Sequence, residues 1–342
     1  MRTLILEEFH GPLLLQDRPT PEPGPGEVLL AVEACAVDQF DLKIRYGKVP
    51  HAIVPLVLGH EVAGTVARLG PGVSGWQLGE RVTTTLYLTC GRCRQCRTGR
   101  ETICENFRGY LGIQTPGGYA EYTVVPEANL ASLPDSIPFA EGSILANAIG
   151  TPFHAFTKRM RLQAGERVII TGAGGGVGLH AVQLARAMGA QVMAVDLGDQ
   201  KLDEARRHGA DVTVDGNEED FAETAREWTR GQGVEGVLEL TGSATIPSSL
   251  RALGKGGRLV IVGFHTGSEF AVQASQMVAN EWEILGSRNV TKTELAQVVD
   301  LVDAGRVRPV ITGAYALEEA ESVHERLARQ EIVGRVVLEP RR

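Results

Sequence analysis

No apolar run in this chain approaches the ~20 residues that a membrane-spanning helix requires. Positive charge is also in short supply. The 34 Lys and Arg residues stand against 42 Asp and Glu, a net charge of −8, which argues against nucleic acid or anionic membrane as the main partner. The opening Met1-Arg-Thr-Leu-Ile-Leu-Glu-Glu8 carries acidic residues and reads as a short strand, not a signal peptide. Tandem repeats and low-complexity tracts are absent, which sets aside repeat arrays. Cysteine is scarce, and four of the five lie within the fifteen residues from Cys90 to Cys104.

Their spacing, Cys90-x2-Cys93-x2-Cys96-x7-Cys104, brings thiols together in tight turns. Four thiolates supply the tetrahedral shell of a closed zinc site. Two disulfides are the alternative, but loops this short close neighbouring thiols poorly. With every position filled by protein, such a zinc ion braces a lobe and leaves no place for substrate. Reduced, metal-bound cysteines and the lack of an export signal point to the cytoplasm.

A length of 342 residues exceeds one compact core and fits two domains. Up to about residue 147 the apolar runs are short and punctuated by Gly and Pro. Thr3–Glu8, Val28–Ala36, Val62–Leu69, Arg81–Leu86 and Ala120–Val125 read as strands of a small, partly open β-barrel. The rhythm then changes to strand, Gly turn, helix, strand. Arg167–Thr171, Gln191–Asp196, Asp211–Asp215, Gly236–Leu240, Arg258–Gly263 and Glu283–Leu285 read as strands of a doubly wound parallel sheet. Residues 1–148 are expected as the barrel domain, with a cysteine lobe at about 86–110, and residues 149–288 as a dinucleotide-binding domain. Residues 289–342 are expected to return to the first domain.

The first strand of the second half leads into Thr171-Gly172-Ala-Gly174-Gly175-Gly176-Val177-Gly178, which opens a helix. Glycines let backbone approach a pyrophosphate, and the helix N-terminus offers free N–H groups and a favourable dipole. Asp196 ends the next strand, eighteen positions after Gly178. Its carboxylate suits the adenosine ribose hydroxyls and repels a 2′-phosphate, favouring NAD(H) over NADP(H). The alternative is that Asp196 only caps the loop before Gly198. Lys201 either reaches the same ribose or is a solvated helix residue.

Together with Gly59-His60-Glu61-Val-Ala-Gly64, these features resemble the medium-chain dehydrogenase/reductase superfamily in its zinc-containing, alcohol dehydrogenase-like branch. The resemblance runs along nearly the whole chain. It implies a GroES-like barrel carrying the catalytic groups, a Rossmann domain for the nucleotide, and substrate between the two.

Where the family carries its first catalytic-zinc thiolate, the run Ala34-Cys35-Ala36-Val37-Asp38-Gln39-Phe40-Asp41-Leu42-Lys43 places Asp38, and Cys35 falls on a nonligand position. His60 matches the second ligand, Glu61 its acidic neighbour, and Asn147 the third ligand position. Two readings stay open. A second zinc is held by Asp38 and His60 with Glu61 or Asn147, or the group is a metal-free cluster with His60 between carboxylates. The family's proton relay is interrupted, because Phe40 and Lys43 stand at its places. Lys43, Tyr46, Tyr87 or metal-bound water are the remaining proton donors. The resemblance further implies that Thr151, Val177, Val262 and Gly263 line the nicotinamide and that Arg335 reaches the pyrophosphate.

The expectation is therefore an NAD(H)-dependent oxidoreductase that interconverts a small alcohol and its carbonyl. A reductase of conjugated C=C bonds in enones, enoyl thioesters or quinones, without catalytic metal, is the second reading. A nucleotide-binding protein without turnover is the third. The substrate would be a small molecule whose identity depends on Tyr46, Leu86, Tyr87 and Tyr110. The strand near Trp282–Ser287 could pair across a twofold, giving a homodimer or homotetramer.

Overall fold

In the computed structural model, which describes residues 1–342, the glycine- and proline-punctuated start folds as a meandering antiparallel sheet. A hairpin of β1 (Arg2–Leu6) and β2 (Leu13–Asp17) stands beside it. The central strand is β3 (Glu27–Val37), whose apolar residues are buried along nearly its full length. It pairs with β4 (Glu61–Leu69), and register shifts at Leu29/Leu30 and Val32/Ala34 bend the pair, as bulges do. Beyond β4 come β5 (Arg81–Thr84), β6 (Tyr122–Pro126), which pairs with β3, and β7 (Leu130–Ser132), which pairs with β5. Leu30, Val32, Leu58, Val62, Leu111 and Tyr119 fill the core between these strands.

The second unit is one parallel sheet of six strands: β8 (Arg167–Thr171), β9 (Gln191–Asp196), β10 (Val212–Asp215), β11 (Val234–Glu239), β12 (Leu253–Ile261) and β13 (Glu283–Gly286). Their order is β10-β9-β8-β11-β12-β13, so the direction of winding reverses between β8 and β11. Val168, Ile169 and Ile170 are buried in succession, as a strand covered on both faces requires. Ala181, Val182, Leu184 and Ala185 of the helix Gly176–Ala187 are buried as the apolar spacing predicts. Strand β12 stops at Ile261, so Val262 and Gly263 lie just past its end.

Chain contacts divide the molecule into Met1–Asn147 with Val290–Ala304 and Pro309–Arg342, and Ala148–Asn289 with Gly305–Arg308. The returning segment supplies β14 (Ile311–Tyr315) and β15 (Arg335–Leu338). Strand β15 runs antiparallel to β3, with Val337 opposite Ala36 and Leu338 opposite Cys35. This completes a seven-stranded sheet of order β14-β15-β3-β4-β5-β7, with β6 also on β3. No helix is long and apolar enough to cross a membrane.

Candidate active site and zinc lobe

The four lobe cysteines are free thiols whose sulfurs lie within 4.8 Å of one another. Cys93 Sγ is 3.9 Å and Cys90 Sγ 3.5 Å from Cys104 Sγ. Zinc–sulfur bonds of about 2.3 Å make a tetrahedron with edges of about 3.8 Å, so the sulfurs are spaced for zinc and too far apart for disulfides. Backbone N–H groups of Cys90, Cys93, Cys96 and Asn106 point at these sulfurs. The Arg92 and Cys93 amides lower the Cys90 thiol to about 6. Burial and the neighbouring thiols push Cys96 up to about 12, a cost that a bound cation removes. The donor set fits a structural zinc, which would tie the two ends of this lobe together.

The second group is built where β3 ends and β4 begins. Asp38 caps the short helix Gln39–Arg45: its Oδ1 accepts from the Phe40 and Asp41 amides at 2.7 and 3.3 Å. Asp41 returns the contact by accepting from the Asp38 amide at 3.0 Å. The capping box therefore aims Asp38 Oδ2 away from the helix. His60 and Glu61 enter at the start of β4, both buried. Gly59 before them has φ +95°, and a Cβ there would lie 2.5 Å from the Tyr119 ring and 2.6 Å from Cys35 Sγ. Only glycine turns the chain at this point, and the fully buried Cys35 packs under it.

Asn147 comes from Leu145–Ile149, a wide π-helical stretch of the kind often found at functional sites. Its amide Nδ2 is 2.7 Å from Glu61 Oε1, 3.3 Å from Asp38 Oδ2 and 3.2 Å from His60 Nε2. Arg335 on β15 donates from Nη2 to the same two oxygens, at 2.8 Å to Glu61 Oε1 and 3.1 Å to Asp38 Oδ2. The resemblance assigns Arg335 to the pyrophosphate. Here it has other partners, because two buried carboxylates need a cation. Its Nε and Glu61 Oε2 are buried without a hydrogen-bond partner.

Burial opposes ionisation of Asp38, but Arg335, His60 and the two amides outweigh it and hold the carboxyl at about 2. Glu61 is pushed up to about 7 by burial, with Arg335 pulling the other way and Asp38 adding to the rise. Burial disfavours a charged His60, yet Asp38, Asp41 and Glu61 together raise it to about 9. The Asn147 nitrogen beside Nε2 favours an unprotonated ring and opposes that rise. The upward direction prevails, because Asp41 Oδ1 sits 3.3 Å from Nδ1 itself.

A metal ion does not fit this cluster as it stands. Zinc bonds to nitrogen and oxygen are about 2.0–2.2 Å, whereas the three donors converge on an amide nitrogen at 2.7–3.3 Å. The grouping Asp38, Asp41 and His60 fares no better, because Asp41 meets Nδ1 and Asp38 faces Nε2, on different edges of the ring.

Sequence reasoning missed the outer partners. Asp41 Oδ2 accepts from Tyr119 Oη at 3.1 Å, and Tyr119 Oη lies 3.1 Å from His324 Nε2. All three are buried, and only the histidine at the start of β4 carried a recognisable motif. Phe40 meets the His60 ring edge-on, with centroids 5.7 Å apart. Lys43 is on the same helix, and burial lowers its pKa while Asp38 raises it.

In the second unit no side chain caps the helix Gly176–Ala187, and uncapped N–H groups at a helix start suit an anion. A Cβ on Gly178 would lie 2.1 Å from the Gly172 carbonyl, which is why the turn packs this tightly. Asp196 Oδ2 accepts from the Gly174 amide at 2.8 Å and Oδ1 from Leu197 at 2.7 Å. The loop-capping role is therefore present, and Lys201 Nζ lies 3.4 Å from Oδ1. Thr151 is buried on the helix Gly150–His154. Glu239, also missed, ends β11 fully buried. It accepts from Thr171 Oγ1 at 2.7 Å, Thr245 Oγ1 at 2.7 Å and Ser249 Oγ at 2.8 Å. It pins the strand leading into the glycine turn, while its carbonyl holds the Val262 and Gly263 amides.

Two family models match the chain: the alcohol dehydrogenase GroES-like domain over residues 24–135 and the zinc-binding dehydrogenase over residues 176–304. An NAD-dependent alcohol dehydrogenase of Sulfurisphaera tokodaii is 32% identical, covering 99% of this chain and 100% of that protein. An acryloyl-coenzyme A reductase of Metallosphaera sedula is also 32% identical, covering 99% of each. The crystal structure of AibC superposes with a TM-score of 0.94 at 39% identity, covering 100% of this chain and 96% of that one. With both halves matched by family models and relatives above 30% identity along its length, the chain belongs to the zinc-containing alcohol dehydrogenase branch of the medium-chain dehydrogenase/reductase superfamily and is an NAD-dependent oxidoreductase of alcohol dehydrogenase type.

Proposed function

We propose that the protein transfers hydride between C4 of the nicotinamide and a small alcohol/carbonyl substrate. The observation that carries this reading is the His60–Glu61 corner, held with Asp38 in a buried polar cluster. Hydride delivery to a carbonyl carbon leaves negative charge on oxygen, which needs a donor or a proton. The Asn147 amide, the Arg335 guanidinium and the His60 imidazole are the groups of the cluster that can supply one. Phe40 cannot carry a proton, which leaves Lys43 as a further candidate. The nucleotide unit contributes the glycine turn, with Asp196 as the reason to prefer NAD(H) to NADP(H).

A second acceptor class is favoured by one observation. An amide nitrogen stands where a Lewis acid would polarise a carbonyl, and a conjugated C=C needs less polarisation than an isolated C=O. Enones and enoyl thioesters are its candidates. In both cases the partner is a small molecule, and the chain is a homodimer or homotetramer through the open edge of β13. The thiolates of the lobe suit a reducing compartment such as the cytoplasm.

Steady-state assays with NADH against aldehydes, ketones, enones and an enoyl thioester test this directly. Turnover of aldehydes or ketones supports the first reading, and saturation of the conjugated set alone supports the second. Binding of NADH by calorimetry with no turnover of any acceptor would sink both.

A further inference from the structure

We infer that this chain carries one zinc ion, in the cysteine lobe, and that the Asn147 amide and the Arg335 guanidinium occupy the place of a second. Three polar atoms from two segments, Asp38 Oδ2 just after β3 and His60 Nε2 and Glu61 Oε1 at the start of β4, close on one point, and Asn147 Nδ2 is at that point. The amide cannot be turned over. Its carbonyl oxygen would then face two carboxylate oxygens, both acceptors, at 2.7 and 3.3 Å. Arg335 Nη2 meets the same two oxygens from another side, so each already has two N–H donors. The other oxygen of Asp38 is committed to the helix cap.

The composition of the donor set points the same way. No thiolate is present, and Asn147 is a neutral amide, a poor zinc ligand. An arriving ion would have to displace the amide and stand beside a guanidinium held in place by β15. In the cysteine lobe four sulfurs lie within 4.8 Å of one another, and the two edges from Cys104, 3.5 and 3.9 Å, are close to those of a zinc tetrahedron. The substrate oxygen would thus meet hydrogen-bond donors and not a metal, which deepens the conjugated-acceptor reading.

Elemental analysis of the purified full-length protein, without chelator, tests this. Wild type, Asp38→Asn and His60→Gln should each contain one zinc per chain. Two ions in wild type, or one fewer in either variant, would overturn the inference. Should a variant fail to fold, titration of wild type with zinc and with cobalt(II) gives the same answer. Uptake of a second equivalent at micromolar metal contradicts it, and saturation at one supports it. Asn147→Cys removes the amide and supplies a thiolate. Alone or with Arg335→Met, it should raise the count from one towards two. A count fixed at one in both would reject Asn147 and Arg335 as the excluding groups. The metal count is independent of the acceptor, so its failure leaves the hydride-transfer reading standing.

Discussion

The cysteine lobe, with four side chains, and the Asp38–His60 cluster, with five, are both convergences of polar groups, yet they balance charge in opposite ways. In the lobe the ligands come from fifteen consecutive residues, and backbone amides face their sulfurs. In the cluster the groups come from the end of β3, the start of β4, a π-helical stretch and β15, and side-chain N–H donors face their oxygens. A local site can leave its centre open for a cation. A cluster assembled across the sheet has its cation supplied by the fold. On the inference drawn above, converging polar groups are not by themselves a metal site, and the atom at their centre decides.

The largest effect that would sharpen this contrast is loss of the lobe ion. Cys96→Ser or Cys104→Ser should abolish zinc binding and unfold the lobe, since structural zinc binds peptides with apparent free energies of about 10–16 kcal/mol. Elemental analysis with proteolysis of residues 86–110 would read it. Next comes Arg335→Met, which leaves Asp38 and Glu61 buried without their cation. A loss of about 3–5 kcal/mol in denaturant unfolding is expected, with the zinc count unchanged. Asn147→Ala removes a neutral donor from the same oxygens and should cost about 1–3 kcal/mol by the same measurement. If Asn147→Ala proved costlier than Arg335→Met, the guanidinium would not be the cluster's main counter-charge.

The effect confined to acid pH concerns His324. Burial lowers it from 6.5 to about 4, with Asp41 opposing the drop and Arg45 adding to it. A depressed pKa gives stability that is present above 6.5 and is lost as pH falls through about 4. Thermal melts should therefore decline across that window, and His324→Gln should flatten the decline. An unchanged slope in the variant would assign the acid sensitivity elsewhere.

Much of this was legible from periodicity. Strands β8 and β9 fall at Arg167–Thr171 and Gln191–Asp196, where runs of buried apolar residues bounded by glycine predict them. The thiol spacing revealed the lobe because its ligands are neighbours in sequence. What escaped was long-range. Tyr119, His324 and Glu239 have no local pattern, since their partners lie 78, 205 and 68 residues away. Arg335 was legible only through the family resemblance, which gave it another partner. Its separation of 274 residues from Glu61 has no signature in the chain. The short strands β2 and β7 also left no alternating run long enough to read.

That separation has a consequence for synthesis. Asp38, His60 and Glu61 leave the ribosome early, and the residue that neutralises the two carboxylates is added only after the entire nucleotide unit has been made. The parallel sheet can mature on its own contacts meanwhile, as domains generally do. The barrel must wait with its acidic corner hydrated. Nascent chains halted before residue 335 should therefore present a nucleotide unit resistant to protease beside a first half that is still cut.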